Sequence, residues 1–329
     1  MWSTVRLPLE PRGWLLEMRN DLRGELQELV RTSSGRLHAV YSAADDGVLV
    51  DAENVLLYNV GGTALRSLMA HTVTFERRYD VPPPPPGVGL IDGKSLHYHR
   101  YSNGSDAPFE YWKPTMLLGT FVNVPVASLD KPAPVWSAIR EQAMPPAETA
   151  SAPTRFLINL QITDAQQPGA GSVASIVKPA LDGIISAYHG HEGTDGLAEA
   201  RRLEAAGIGG AQPLQEQLLD QRWAALGARR LVKPFGTRGV QWNPADEFCV
   251  YAHVTLRVGE PAVDGHPARW RLSAELMAAT HLCGNPWFWS SRPLGALSHG
   301  ATGASRRPVT RPAVDALPRC RQHCHESRS

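Results

Sequence analysis

An α+β fold, with two related units whose mixed sheets are flanked by helices, is the prediction for this chain of 329 residues. The first observation is that short segments of alternating apolar and polar residues, typical of strands, occur in both halves. The second is that segments with apolar residues at helical spacing separate them. The third is the order strand, helix, strand, loop, helix, strand, which is found once in each half. With 43% hydrophobic and 20% charged residues, the chain can bury a sizeable core.

The first unit is predicted to cover residues 1–80. Leu22, Leu26 and Leu29 have the spacing of one face of a helix, so an amphipathic helix is expected there. Strands are expected at 3–9, 37–43 and 71–79, and over 50–71 a strand end is expected to run into helical material. The five prolines at 82–86 favour a stiff polyproline II spacer, so residues 81–114 are predicted to form a Pro-rich linker. The other use of such a run is as a docking ligand for an aromatic groove.

The second unit is predicted to cover residues 115–260 and to contain a helical insertion at 190–240. Its expected strands and helices are, in chain order, a strand at 116–126, a helix at 134–143, a strand at 155–163, a helix from 172, and a strand at 246–258. Residues 261–290 are predicted to be a C-terminal extension, and residues 291–329, which lack any periodic pattern, a disordered tail. The tail contains a Cys/His cluster, CRQHCHE, for which adventitious metal binding is expected.

Charge and cysteine usage limit the class of protein. The chain has 33 Lys and Arg against 32 Asp and Glu, so its total charge shows no footprint of nucleic-acid binding, although a local basic face remains open. Four cations within ten positions are the candidate contacts to a phosphate backbone: Arg229, Arg230, Lys233 and Arg238. No long apolar run predicts a membrane span, and four cysteines without framework spacing favour a reduced, cytoplasmic protein.

The stretch SVASIVKPALDGI (172–184) carries Lys178 and, four residues later, Asp182 within an apolar helical pattern. Together with Ile176 and Leu181, these residues resemble the core motif of RusA-type Holliday-junction resolvases, a helix that begins D-x-D-N-L-x-K. The resemblance implies a RusA-like order of elements, a catalytic role for Lys178 with Asp182 beside it, and a magnesium site.

The residues Asp246 and Glu247, which begin a strand, resemble the acidic pair that completes the magnesium site of that family. The two metal-binding aspartates of the family motif, however, correspond here to Ser172 and Ala174. Magnesium prefers several hard anionic oxygens, so one acidic pair by itself would hold the ion weakly.

The first half has the complementary pattern. In VDAENVLLYNV (50–60), Asp51, Glu53 and Asn54 resemble the D-x-D-N start of the same motif, and Leu57 stands where the family has lysine. If the two units pack as a pseudo-dimer, Asp51 and Glu53 complete a composite metal site with residues of the second half. The predicted metal ligands are therefore Asp51, Glu53, Asp246 and Glu247.

Three functions follow from this pattern. The favoured one is a divergent, catalytically impaired RusA-like protein that binds DNA or RNA or serves in a nucleic-acid-associated assembly with protein partners. The second is an active, Mg²⁺-dependent, structure-specific endonuclease with a composite site. The third is a structural subunit of a multi-protein complex.

Ordinary structural uses of the same residues also remain open: Asp51 as a helix N-cap, Lys178 with Asp182 as a surface i,i+4 pair, and Asp246 with Glu247 in a turn. The paired histidines of HGHE, His189 and His191, are expected in a solvated loop.

Overall fold

The fold is a large mixed β-sheet flanked by helices. A computed structural model describes residues 1–32, 36–44, 50–60, 72–86, 96–103, 110–147, 151–164, 173–193, 196–237, 239–259 and 269–282. These residues lie within one compact unit, Met1–Cys283. The predicted tail with its Cys/His cluster lies outside the described residues, as does Arg238.

The elements follow in chain order. The first half contains β1 (Trp2–Ser3), α1 (Trp14–Thr32), β2 (Arg36–Ala43), a helical turn (Asn54–Tyr58), β3 (Thr72–Arg78) and β4 (His97–Asn103). The second half begins with β5 (Trp112–Val126), α2 (Pro132–Gln142), β6 (Phe156–Asp164) and α3 (Val173–Ala187). An insertion follows with β7 (Gly190–His191), α4 (Leu197–Ala205), α5 (Ala211–Leu219), a 3₁₀ turn (Gln221–Trp223), β8 (Ala228–Arg229), β9 (Val232–Phe235) and β10 (Gly239–Trp242). A 3₁₀ turn (Asp246–Phe248), β11 (Cys249–Val258) and β12 (Trp270–His281) complete the described chain.

Eight strands form the main sheet in the order β1-β4-β2-β3-β11-β6-β12-β5. The pairs β2/β3 and β6/β11 are parallel, whereas β3 and β11 are antiparallel, with Glu76 opposite Tyr251 and Thr72 opposite Thr255. The carboxyl end of β2 and the amino end of β11 therefore lie at the same edge of the sheet. Residues that follow β2 can meet residues that precede β11 there.

The two halves share a sequence of elements. Both β1 to β4 and, apart from the insertion, β5 to β12 have the order strand, helix, strand, helical segment, strand, strand. Within each half the second strand (β2 or β6) pairs in parallel with the third (β3 or β11) and in antiparallel with the fourth (β4 or β12). The strand order is symmetric about the β3–β11 pair.

The core lies between the sheet and the helices. One alternating set of strand side chains, including those of β6 and β11, packs with the apolar faces of α1, α2 and α3 into one hydrophobic cluster. Gly183 permits the close approach of α3 to α2, because a Cβ atom there would lie 2.5 Å from Val135 Cβ and 2.8 Å from the Pro132 carbonyl oxygen. This contact holds α3, and the side chains on its other face, at a defined height above the sheet.

The structure departs from the sequence-based expectations in several places. The two halves share one continuous sheet instead of forming separate ones. The predicted linker 81–114 contains β4, which pairs with β2, and the predicted extension 261–290 contains β12, which pairs with both β5 and β6. Of the strand expected at 3–9, only Ser3 lies in a strand, the two-residue β1 (Trp2–Ser3).

The histidines of HGHE were expected in a solvated loop, and this prediction is wrong. His189 and His191 are 2% and 4% exposed. His189 contacts Arg140 and the Gly227 carbonyl oxygen, and His191 pairs with Arg229 in the short β7–β8 sheet. Among the described residues, no helix is both long enough and apolar enough to cross a membrane.

Candidate functional site

Four carboxylates converge on one ammonium group. The Nζ atom of Lys178 lies 2.8 Å from Asp51 Oδ2, 3.3 Å from Glu53 Oε2, 2.9 Å from Asp182 Oδ1 and 2.7 Å from Asp246 Oδ2. We call these five residues the Lys178 cluster. Its members come from three segments that are up to 195 positions apart in the chain, from Asp51 to Asp246.

Asp51 and Glu53 enter the cluster from the segment after β2. Asp51 Oδ1 accepts a hydrogen bond of 3.1 Å from the backbone N–H of Asn54, so this carboxylate stabilises the start of the helical turn. The turn is anchored because Val55, Leu56 and Leu57 are buried in the core. Asp51 thus has the capping role that its sequence context predicts, while its second oxygen contacts Lys178.

Lys178 and Asp182 enter from α3. Residues four apart lie on the same face of a helix, which places the two side chains next to each other. α3 packs against α2 through Gly183, and the polar pair contacts Asp51 and Glu53 of the segment after β2 through Lys178. Pro179 lies inside the helix and cannot donate the backbone hydrogen bond of an ordinary helical residue at that position.

Asp246 enters from the 3₁₀ turn that precedes β11, and its Oδ2 makes the shortest of the four contacts to Lys178. The adjacent Glu247 does not join the cluster. Its Oε1 instead lies 3.6 Å from Arg229 in the insertion. The predicted acidic pair is therefore divided between two partners.

Most of the cluster is withdrawn from water. The side chain of Lys178 is 16% exposed, that of Glu53 6% and that of Asp246 22%. Desolvation raises the pKa of Asp51, raises that of Glu53 well above its usual value, and raises that of Asp182 to about 7, although the Lys178 charge opposes each shift. Burial also opposes the charge on Lys178, but the surrounding carboxylates outweigh it and raise the pKa of the ammonium.

A small cavity of about 10 Å³ adjoins the cluster, with room for about one water molecule. It is lined by the four carboxylates of the cluster and by apolar residues that include Phe75, Ile185 and Ala252. The Oε1 atom of Glu53 is buried here without a hydrogen-bond partner among the described residues. A buried carboxylate oxygen without a partner is costly, so the site favours a positively charged or hydrogen-bonding occupant.

The oxygen atoms of the cluster all belong to carboxylates, grouped around one ammonium. Mg²⁺ takes carboxylate oxygens, and with all four carboxylates ionised the five side chains would carry a net charge of −3. In the described part of the chain, however, no group of three or more His, Cys, Asp or Glu side chains is arranged so that it could hold a metal ion. The ammonium of Lys178 occupies the point at which the four carboxylates meet.

The structure thus brings together five of the six predicted catalytic and metal-binding residues, all except Glu247. The predicted basic residues lie in the insertion, where Arg230 and Lys233 are exposed and Arg229 pairs with Glu247. Two neighbours of the cluster were missed by sequence reasoning: Tyr58, whose pKa is raised to about 12 by burial and by Glu53, and Cys249, which lines the cavity. A sequence signal existed only for Tyr58, which stands next to the position of the motif lysine.

Comparison of the chain with models of protein families, with curated proteins and with solved structures finds no match. Any function assigned to the chain therefore depends on the chemistry and geometry of its own residues.

Proposed function

We propose that the protein is a divalent-cation-dependent phosphodiester hydrolase that acts on nucleic acid through the composite site around Lys178. The observation that carries the proposal is the number of carboxylates, which exceeds the number of cations in the cluster by four to one. Four carboxylates surround one ammonium in a largely buried site, and an oxygen of Glu53 has no partner among the described residues. Buried charge of one sign requires protons or a second cation to balance it.

Asp51, Glu53, Asp182 and Asp246 would hold the cation. A bound Mg²⁺ would supply activation of water and neutralisation of phosphate charge. The cation would take the place that the Lys178 ammonium now occupies between the carboxylates. Lys178 would move beside it and stabilise negative charge developing on the phosphate oxygens. The apolar wall lowers the local dielectric constant and so strengthens each of these electrostatic interactions.

The arrangement of elements supports an origin by duplication. The repeated order of strands and helices, and the symmetry of the sheet about the β3–β11 pair, are what we would expect of two related units joined in one chain. We propose that both units are RusA-like. In this proposal the first unit has kept carboxylates, Asp51 and Glu53, and the second has kept the lysine. The site is complete only when both units are present.

A second candidate function is that of a catalytically impaired scaffold that binds nucleic acid or a protein assembly. The observation that favours it is the position of Lys178, whose ammonium contacts all four carboxylates at 2.7–3.3 Å. In such a protein the lysine would replace the metal ion as the counter-charge, and the cluster would only stabilise the joint between the two units.

The two candidates differ in cation binding and in cleavage. The experiment is titration calorimetry of the purified full chain with Mn²⁺ and Mg²⁺, together with incubation of labelled duplex, branched and single-stranded DNA and RNA with Mg²⁺. The test variants are Asp51→Asn and Lys178→Ala. The matched control is Glu275→Gln, which neutralises an exposed carboxylate on β12 outside the cluster.

The hydrolase proposal expects cation binding and Mg²⁺-dependent cleavage, with cleavage lost in both test variants and unchanged in the control. Asp51→Asn should also weaken cation binding, because it removes a ligand. Nucleic-acid binding without cation binding or cleavage would overturn the hydrolase proposal in favour of the scaffold. Cleavage that persists in both test variants would show that the activity belongs to another site or to a contaminant.

A further inference from the structure

The insertion between α3 and β11 ends in an exposed hairpin of unusual charge. Residues 228–243, which we call the basic hairpin, contain four cations and no acidic residue. β9 and β10 form a two-stranded antiparallel sheet of their own, separate from the main sheet. A surface element with charge of one sign fits a partner of the opposite sign.

The two faces of the hairpin differ. Side chains alternate along a strand, and residues opposite each other lie on the same face. Val232 and its partner Trp242 belong to the inner face, where Val232 is buried and the Trp242 ring lies 5.4 Å from that of Trp136. On the outer face Lys233 lies opposite Gln241, and both are exposed.

Phe235 is the feature of the outer face that folding does not explain. Its side chain is 65% exposed at the end of β9. The residue opposite is Gly239, where a Cβ atom would lie 3.8 Å from Phe235 Cδ1, so the glycine leaves one side of the ring uncovered. An aromatic ring with a bare side next to a lysine is suited to stacking on a planar base that carries a phosphate.

The hairpin is held in place and tied to the candidate site. Arg202 of α4 donates hydrogen bonds to the carbonyl oxygens of Gly236 and Gly239, which fixes the turn. At the other end, Arg229 pairs with Glu247, the neighbour of Asp246. A strand bound along the hairpin would therefore lead towards the Lys178 cluster.

We infer that the outer face of the basic hairpin binds a single-stranded segment of nucleic acid, with Phe235 stacked on a base and Lys233 at a phosphate. The inference rests on the proposed function, since it names the surface that delivers the substrate to the site. Single-stranded DNA and RNA share the recognised chemistry, a planar base and a phosphate, and the experiment separates them.

The experiment measures the fluorescence anisotropy of labelled 20-nucleotide oligo(dT) and oligo(U) bound by the full chain. EDTA is present, so that binding is read without cleavage. The test variants are Phe235→Ala, Phe235→Trp and Lys233→Gln. Two controls remove exposed groups elsewhere: Trp14→Ala on α1 and Lys131→Gln before α2.

Phe235→Ala should weaken binding about 5- to 150-fold, the range found when one stacked aromatic is removed, and Phe235→Trp should restore it. Lys233→Gln should make the slope of log K against log salt shallower by about 0.7, because one fewer phosphate is neutralised. Tighter binding of one oligonucleotide identifies DNA or RNA as the partner.

Equal binding by the wild type and all hairpin variants would overturn the inference, and so would a failure of the wild type to bind either oligonucleotide at 50 mM salt. The latter result would point to a protein partner for Phe235. The proposed function is tested independently of the hairpin. Mn²⁺ titration without nucleic acid reports on the Lys178 cluster, and the hairpin substitutions lie outside this cluster. Suppose that Asp51→Asn loses cation binding while the Phe235 variants bind the oligonucleotides as the wild type does. The cation site of the proposed function would then stand, and the inference about the hairpin would be wrong.

Discussion

Replacing Lys178 by methionine tests how the charged cluster is balanced. Methionine keeps much of the length and apolar volume of the lysine but removes the only cation among the five side chains. Removing one partner of a buried ion pair costs about 3–5 kcal/mol, because it leaves an uncompensated buried charge. Since the cluster retains some exposure to water, we expect the free energy of unfolding at pH 7 to fall by about 3 kcal/mol.

The loss should depend on pH. Desolvation raises the pKa of Asp51, Glu53 and Asp182, so the folded state takes up protons at a higher pH than the unfolded state. Carboxylates of this kind contribute stability that is present below their unfolded pKa of about 4 and is lost as the pH rises through the folded value. For Asp182 that value is about 7. The deficit of Lys178→Met should therefore be small near pH 4 and grow towards pH 7.

A divalent cation should reverse the deficit, since the substitution vacates the point at which four carboxylates meet. At a Mg²⁺ concentration of 100 times its dissociation constant, binding to the folded state alone adds about 2.7 kcal/mol. The assay is urea unfolding followed by tryptophan fluorescence at pH 5 and 7, with EDTA or Mg²⁺. Lys113→Met, at an exposed lysine of β5, is the control. A deficit below about 1 kcal/mol at pH 7, or one equal at both pH values, would refute this account of the cluster.

Three further outcomes are expected. Gly183→Ala should destabilise the protein by about 1–3 kcal/mol in calorimetry because its Cβ would overlap Val135, whereas Gly24→Ala, whose Cβ meets nothing within 4 Å, should be neutral or stabilising. Burial lowers the pKa of His99 to about 3 and that of His189 to about 4, so only the unfolded state takes up these protons just below pH 6.5. The free energy of unfolding should fall on acidification by up to about 1.4 kcal/mol per pH unit for each histidine, and His189→Gln should flatten this dependence in urea titrations. Finally, a single composite site should convert supercoiled plasmid to the open circular form before any linear product; direct linearisation on gels would contradict it.

Local sequence patterns accounted for most of the individual elements. Leu22, Leu26 and Leu29 mark one face of α1, and the alternating segments at 37–43 and 246–258 correspond to β2 and β11. Such patterns can be recognised because a helix or strand buries one face. The spacing of the buried residues then follows from the backbone geometry of the element alone. The strand prediction at 3–9 was wrong because an alternating pattern does not show whether a partner strand is present. At this end of the chain only Trp2 and Ser3 pair with a strand, β4.

The pairing of distant strands was beyond local patterns. β4 lies in a segment that proline content marked as a linker, and β12 in one that was predicted as an extension. Both became strands of the main sheet because each completes the hydrogen bonding of a neighbour, β2 or β6. That benefit depends on which edge is available after folding, and no local sequence window contains this information.

The candidate site shows the same division. The residue types and spacings of Asp51, Glu53, Lys178 and Asp246 were visible in the chain as two incomplete motifs. The three carboxylates lie within 2.7–3.3 Å of Lys178 Nζ because β3 and β11 pair in antiparallel orientation. This pairing places the segment after β2 beside the start of β11. Glu247, adjacent to Asp246 in sequence, pairs with Arg229 instead, because the direction of each side chain follows from the backbone turn that carries it. Residue type and local spacing identify candidate groups in the sequence. Long-range packing determines which of these groups come into contact, because contacts between distant segments form only when the sheet forms.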